Sequence, residues 1–130
     1  MKITYDQTYP TPLAQFGDEL VQMIRDGDSN LIADRFGYAL AFDRPLAKAI
    51  ATDIDFCLND EERSAIISKA NDARILVKYF KQPNSSNLFG LVECFLPLEN
   101  DHGELLAELI VTTKDQEFFI CLENISYSSN

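Results

Sequence analysis

Residues 104–125 read ELLAELIVTTKDQEFFICLENI, and the fold turns on them. Side chains alternate on either side of a short polar break, the pattern of two strands joined by a tight turn. One parity is wholly apolar: Leu105, Ala107, Leu109 and Val111, then Phe118, Ile120 and Leu122. A two-residue turn at Lys114-Asp115 would set Val111 opposite Phe118 and Leu109 opposite Ile120. The set then shares one face, which is expected to meet the core.

The alternation extends upstream. Residues 88–98 place Leu88, Gly90, Val92, Cys94 and Leu96 on the core parity, and residues 75–81 read as one more strand. The connections at 82–87, 99–103 and 114–115 are short and polar, which favours antiparallel neighbours. Before Asn71 the period is helical. Leu13, Phe16, Leu20, Met23 and Ile24 follow Thr11-Pro12 at three- and four-residue spacing, and Gly27 is placed to stop the helix, so the expected span is 12–26. Asp28 can cap a short helix that ends at Gly37, and a further helix is built on Leu46, Ile50, Ile54, Cys57 and Leu58. Asn59-Asp60-Glu61-Glu62 resembles a capping box and predicts another helix through Ala65, Ile66 and Ala70. The fold class is α+β: N-terminal helices packed on one face of a C-terminal four-stranded antiparallel meander. A single domain spans 1–130, with a helical part at 12–72 and a sheet part at 74–127.

The other parity of the meander holds Phe89, Leu91, Glu93 and Phe95; Glu104, Leu106, Glu108 and Ile110; and Phe119, Cys121, Glu123 and Ile125. A sheet face turned to water is normally dominated by polar residues. Large apolar side chains mixed with carboxylates mark an interaction surface. Three other arrangements would also cover this face: the N-terminal segment with Ile3, Tyr5 and Tyr9, one of the helices, or a second copy in a homodimer.

Charge narrows the partner. The 130 residues carry 11 Lys plus Arg against 21 Asp plus Glu, a formal charge of −10. From Glu93 to the C-terminus there are eight acids and one base, Lys114. Nucleic acid is disfavoured, since its binders present basic patches and the one basic cluster here is Arg74, Lys78 and Lys81. A basic protein is favoured. No apolar run has the length of a membrane helix, and the opening residues lack the apolar core of a signal peptide; together these predict a cytoplasmic chain with no membrane partner.

Chemistry-bearing motifs are sparse. Cys57, Cys94 and Cys121 have no metal-ligand spacing and are expected as buried reduced thiols. The lone His102 lies in a turn sequence, and Asp53 and Asp55, two apart on a helix, point to different sides. The sequence contains no phosphate loop and no nucleophile elbow. No catalytic residue, metal or cofactor is assigned, and the chain is not expected to be an enzyme.

One acidic domain, helices before sheet, no catalytic constellation and an acidic, partly apolar face: in these features the chain resembles bacterial immunity proteins. These are the cognate inhibitors encoded beside polymorphic or contact-dependent growth-inhibition toxins. The resemblance lies at the level of the class and rests on no motif, so no family residue is carried over. It implies an acidic protein that neutralises a basic toxin, a nuclease in many cases, by occluding its active site. The expected partner-binding residues are Glu93, Glu104, Glu108 and Glu123, with Phe89, Phe95 and Phe119 as apolar anchors. The alternatives are a small-ligand or catalytic pocket between helices and curved sheet, as in nuclear-transport-factor-like folds, and a homodimeric structural protein.

Overall fold

The computed structural model describes residues 1–60, 63–81 and 87–129. Three helices, α1 (Pro10–Arg25), α2 (Ser29–Phe36) and α3 (Leu46–Leu58), precede four long or medium strands, β2 (Arg74–Tyr79), β3 (Leu88–Pro97), β4 (Glu104–Lys114) and β5 (Glu117–Ser128). A two-residue strand, β1 (Lys2–Ile3), joins the far edge, so the antiparallel sheet has five strands in the order β1-β5-β4-β3-β2. This α+β arrangement adds a strand to the expected meander, because pairing of Lys2 with Phe119 and Ile3 with Phe118 is non-local and leaves no periodic trace.

The helices form where their end signals stand. Pro10 occupies the first turn of α1, two residues ahead of the expected start, because its missing N–H costs nothing there. Asp28 Oδ1 accepts the Leu31 N–H at 3.1 Å, and Gly37 closes α2 with a φ of 71°. The helix expected after Asn59 does not form. The Ala65 N–H donates to Leu58 O at 2.9 Å, Arg63 Nη2 donates to Cys57 O at 2.7 Å, and Ile67 bridges Leu98. These residues therefore cap α3 and extend the rim of β3; Glu61 and Glu62 of the expected capping box lie outside the described residues.

On the inner face Val92, Cys94, Leu96, Leu105, Ala107, Leu109, Val111, Ile120 and Leu122 are fully buried. They merge with Leu13, Leu20, Ile32, Phe36 and Ile50 of the helices into one core. Gly17 lets α1 lie close: a Cβ there would meet Ile75 Cγ2 at 2.9 Å and Val92 Cγ1 at 3.1 Å.

Register departs from expectation in three places. The β4–β5 turn is Asp115-Gln116, both with positive φ, the geometry of a two-residue hairpin loop whose twist matches its strands. Val111 therefore faces Ile120 and Leu109 faces Leu122, a shift of two that keeps every side chain on its expected face up to that point. An extra residue then sits at Glu123, between the Leu109–Leu122 and Glu108–Asn124 pairs, and this bulge turns Ile125 inward opposite Ala107. A second extra residue, Phe89, lies between the Leu88–Thr112 and Gly90–Val111 pairs.

Candidate functional site

The outer face of the sheet is built in rows that cross the strands. The central row is Leu76, Glu93, Glu108 and Asn124. On one side runs Lys78, Leu91, Ile110 and Cys121, and on the other Arg74, Phe95, Leu106 and Ser126. Carboxylates are thus bracketed by aliphatic and aromatic side chains. Leu91, Phe95, Leu106, Ile110 and Phe119 stand apart from the core cluster that joins the helices to the inner face. The N-terminal segment does not cover them either: Ile3 is buried in the core, and Tyr5 packs on the Phe118 ring at 5.8 Å on the inner side.

Six of the seven expected partner-binding residues lie on this face. Glu93 and Glu108 are directly opposed across β3 and β4, a like-charge pair that must be offset by its neighbours. Lys78 Nζ lies 2.6 Å from Glu93 Oε1, and Asn124 Nδ2 donates to Glu108 Oε1 at 3.3 Å. Burial pushes the Glu108 carboxyl above the usual carboxylate range; Glu93 and Glu123 push the same way, against Asn124 and Lys78. Glu104 is tied more tightly. Arg74 stacks its guanidinium 4.3 Å over the Phe95 ring and reaches Glu104 Oε1 at 2.8 Å. The side chains of Glu93 and Glu104 retain only 13% and 10% exposure, so among the described residues the carboxylates of this face without an ion pair are Glu108 and Glu123.

Phe89 belongs elsewhere. Its bulge position turns the ring to the inner side, where it meets Phe118 at 5.1 Å and Tyr79 at 5.8 Å. As an outer-face anchor it is corrected: Leu91, opposite Ile110, takes that place. No match to this chain is found among family models, curated proteins or solved structures.

The remaining polar clusters are structural. Arg44 makes a two-point contact with Asp53 at 2.9 and 3.1 Å and donates to the carbonyls of Leu40 and Ala41; Tyr38 donates its hydroxyl to Asp53 at 2.5 Å. The Arg44 hydrogen bonds hold the Asp53 carboxyl below its ordinary range, with Tyr38 helping against burial. This clamp steadies the positive-φ pair Phe42-Asp43 between α2 and α3. Asp55 instead accepts from Asn59 Nδ2 at 2.9 Å, so the two aspartates do face apart.

A recess of about 320 Å³ at the sheet end is lined by Asp60, Arg63, Ser64, His102 and Tyr127. Arg63 stacks 3.7 Å over Tyr127, the Tyr127 hydroxyl donates to His102 O at 2.6 Å, and Ser64 Oγ donates to Asn59 Oδ1 at 3.1 Å. Its hydroxyls are thereby committed to local contacts. The thiols are held protonated: burial pushes Cys94 up to about 12 and raises Cys57 and Cys121 as well. Among the described residues no group of three or more His, Cys, Asp or Glu is arranged to hold a metal ion, and no helix is long and apolar enough to cross a membrane.

Sequence patterns passed over two exposed aromatics, Phe42 at 77% and Phe56 at 78% exposure. Phe56 falls one place off the buried stripe of α3, and Phe42 follows a turn that no local motif announces.

Proposed function

We propose that this chain is an acidic binding protein that neutralises a basic toxin, most simply a nuclease, by covering its active site with the outer face of the sheet. The observation that carries the proposal is the central carboxylate row bracketed by apolar rows. Among the described residues no lysine or arginine ion-pairs Glu108 or Glu123, which therefore supply charge, and Leu91, Phe95 and Leu106 supply surface that excludes water around it. A partner cation set on Glu108 would relieve its unfavourable ionisation, which rewards binding of a lysine or arginine at that point. Desolvated apolar anchors carry most interface energy, and surrounding charges set rate and specificity. Glu93 and Glu104, already paired, act as a frame for the contact.

The test is the double variant Glu108→Lys, Glu123→Lys against the protein encoded by the neighbouring reading frame. The expected outcome is an association rate reduced by about tenfold or more at low salt, with the difference shrinking as salt is added. An unchanged rate at low salt overturns the proposal.

A further inference from the structure

Strand β2 closes the sheet at one end, and among the described residues no strand pairs with its other side. The Phe80 N–H donates to Phe89 O at 3.0 Å, which sets the parity of the ladder. Arg74, Leu76 and Lys78 direct their backbone groups to β3, and Ile75, Val77 and Tyr79 direct theirs away from the sheet. Natural edge strands are commonly guarded by outward charges. Here the two cations of the strand fold back over the sheet, Lys78 to Glu93 and Arg74 across Phe95 to Glu104. Leu76, Tyr79 and Phe80 stay exposed along the edge.

We propose that β2 pairs antiparallel with β2 of a second copy, about a two-fold axis through Val77. In that register Ile75 faces Tyr79 of the second copy and Val77 faces itself, so all three outward-directed residues find partners, with about six backbone hydrogen bonds. The side chains agree. Leu76 lies opposite Lys78 of the second copy, and Arg74 lies opposite Phe80, an aromatic partner for a guanidinium. Moving the axis to Leu76 would set Arg74 against Lys78, and moving it to Lys78 would set that ammonium against its own copy. The register that uses every free backbone group is therefore also one that opposes no two cations. Each copy carries −10, so association is expected to strengthen with salt, opposite to binding of a basic partner. The outer face stays open in this dimer, so the inference stands independently of the proposed function.

Sedimentation equilibrium of the full chain across a concentration series tests it, with amide hydrogen exchange alongside. The expected result is a doubling of the 14.7 kDa mass and slower exchange of the Val77 amide as concentration rises. Val77→Pro removes a donor that faces away from β3 and is expected to abolish the dimer. Leu76→Lys sets an ammonium opposite Lys78 and is expected to weaken the dimer by about tenfold; it decides the matter if the proline variant fails to fold. A mass of 14.7 kDa at every concentration overturns the proposal. So does a dimer that survives Leu76→Lys while Val77 exchange stays independent of concentration.

Discussion

The two faces of the sheet share the same strands, the same alternation and the same hydrogen bonds, yet they are packed by different rules. On the inner face Leu109, Val111, Ile120 and Leu122 are sealed beneath the helices. On the outer face Leu91, Phe95 and Leu106 are only half-buried, with the Arg74 guanidinium stacked over the Phe95 ring and Leu106 opposite Phe95. Shape complementarity with a second layer sets the inner face, whereas neighbouring rows of charge and aromatic surface set the outer one. An inner residue is therefore constrained by volume, and an outer one by electrostatics.

Truncation gives the largest contrast. Leu122→Ala opens a cavity beneath α2 and α3 and is expected to cost about 2–5 kcal/mol in urea unfolding. Leu106→Ala, at a half-buried site that solvent can refill, is expected to cost about 1 kcal/mol. Equal losses at the two positions would show that the outer face is as closely packed as the inner.

Adding volume probes the same rule from the other side. Gly17→Ala places a methyl group 2.9 Å from Ile75 Cγ2 and 3.2 Å from Cys94 Sγ. Overpacking of this kind costs about 1–3 kcal/mol, against about 1 kcal/mol gained from the better helix propensity of alanine. A net loss of about 1 kcal/mol is expected, and Val92→Ala is expected to cost less in the Gly17→Ala background than in the wild type, because it removes a methyl group that crowds the new one. A stabilised variant would mean that α1 sits farther from the sheet than its contacts imply.

How far these faces were legible in advance depends on the kind of signal. Alternation marked Val92, Leu109 and Ile120 as inner residues because their exposure follows parity alone. It also put Glu93, Glu108 and Phe95 on the outer face for the same reason. Parity alone misplaces Phe89 and Ile125 because a bulge reverses it, and bulges depend on cross-strand register that one strand does not encode. The sequence pattern sets the hairpin one residue early because Asp115-Gln116 adopts positive φ without glycine. The segment after Asn59 carries a helix-start pattern, but Arg63 is drawn to the Cys57 carbonyl and the Tyr127 ring, so tertiary contacts overrode local preference. The pairing of Lys78 with Glu93 and of Arg74 with Glu104 is not legible in the sequence, because it depends on the register of β2 against β3, which no single strand encodes; the residual charge on Glu108 and Glu123 follows from it.

The smallest effect is the most specific to the outer face. Glu108 is held above its ordinary value by burial, with the Glu93 and Glu123 carboxylates adding to it. For a carboxyl whose folded value is raised, the folded state keeps its proton longer than the unfolded chain does. Stability therefore rises as pH falls through the interval between the raised and the ordinary value, and the penalty is fully present above it. Glu108→Gln removes the charge while leaving an oxygen for Asn124 Nδ2. It is expected to stabilise the protein at neutral pH by about 0.5 kcal/mol, within the range for opposed like charges, and to lose that advantage once the wild-type carboxyl is protonated. Urea unfolding of both proteins across the acid range checks this, and the inner-face variants serve as controls because their losses involve no proton. A Glu108→Gln difference that is flat with pH would show that volume governs the outer face too, and that its carboxylates are not in tension before a partner arrives.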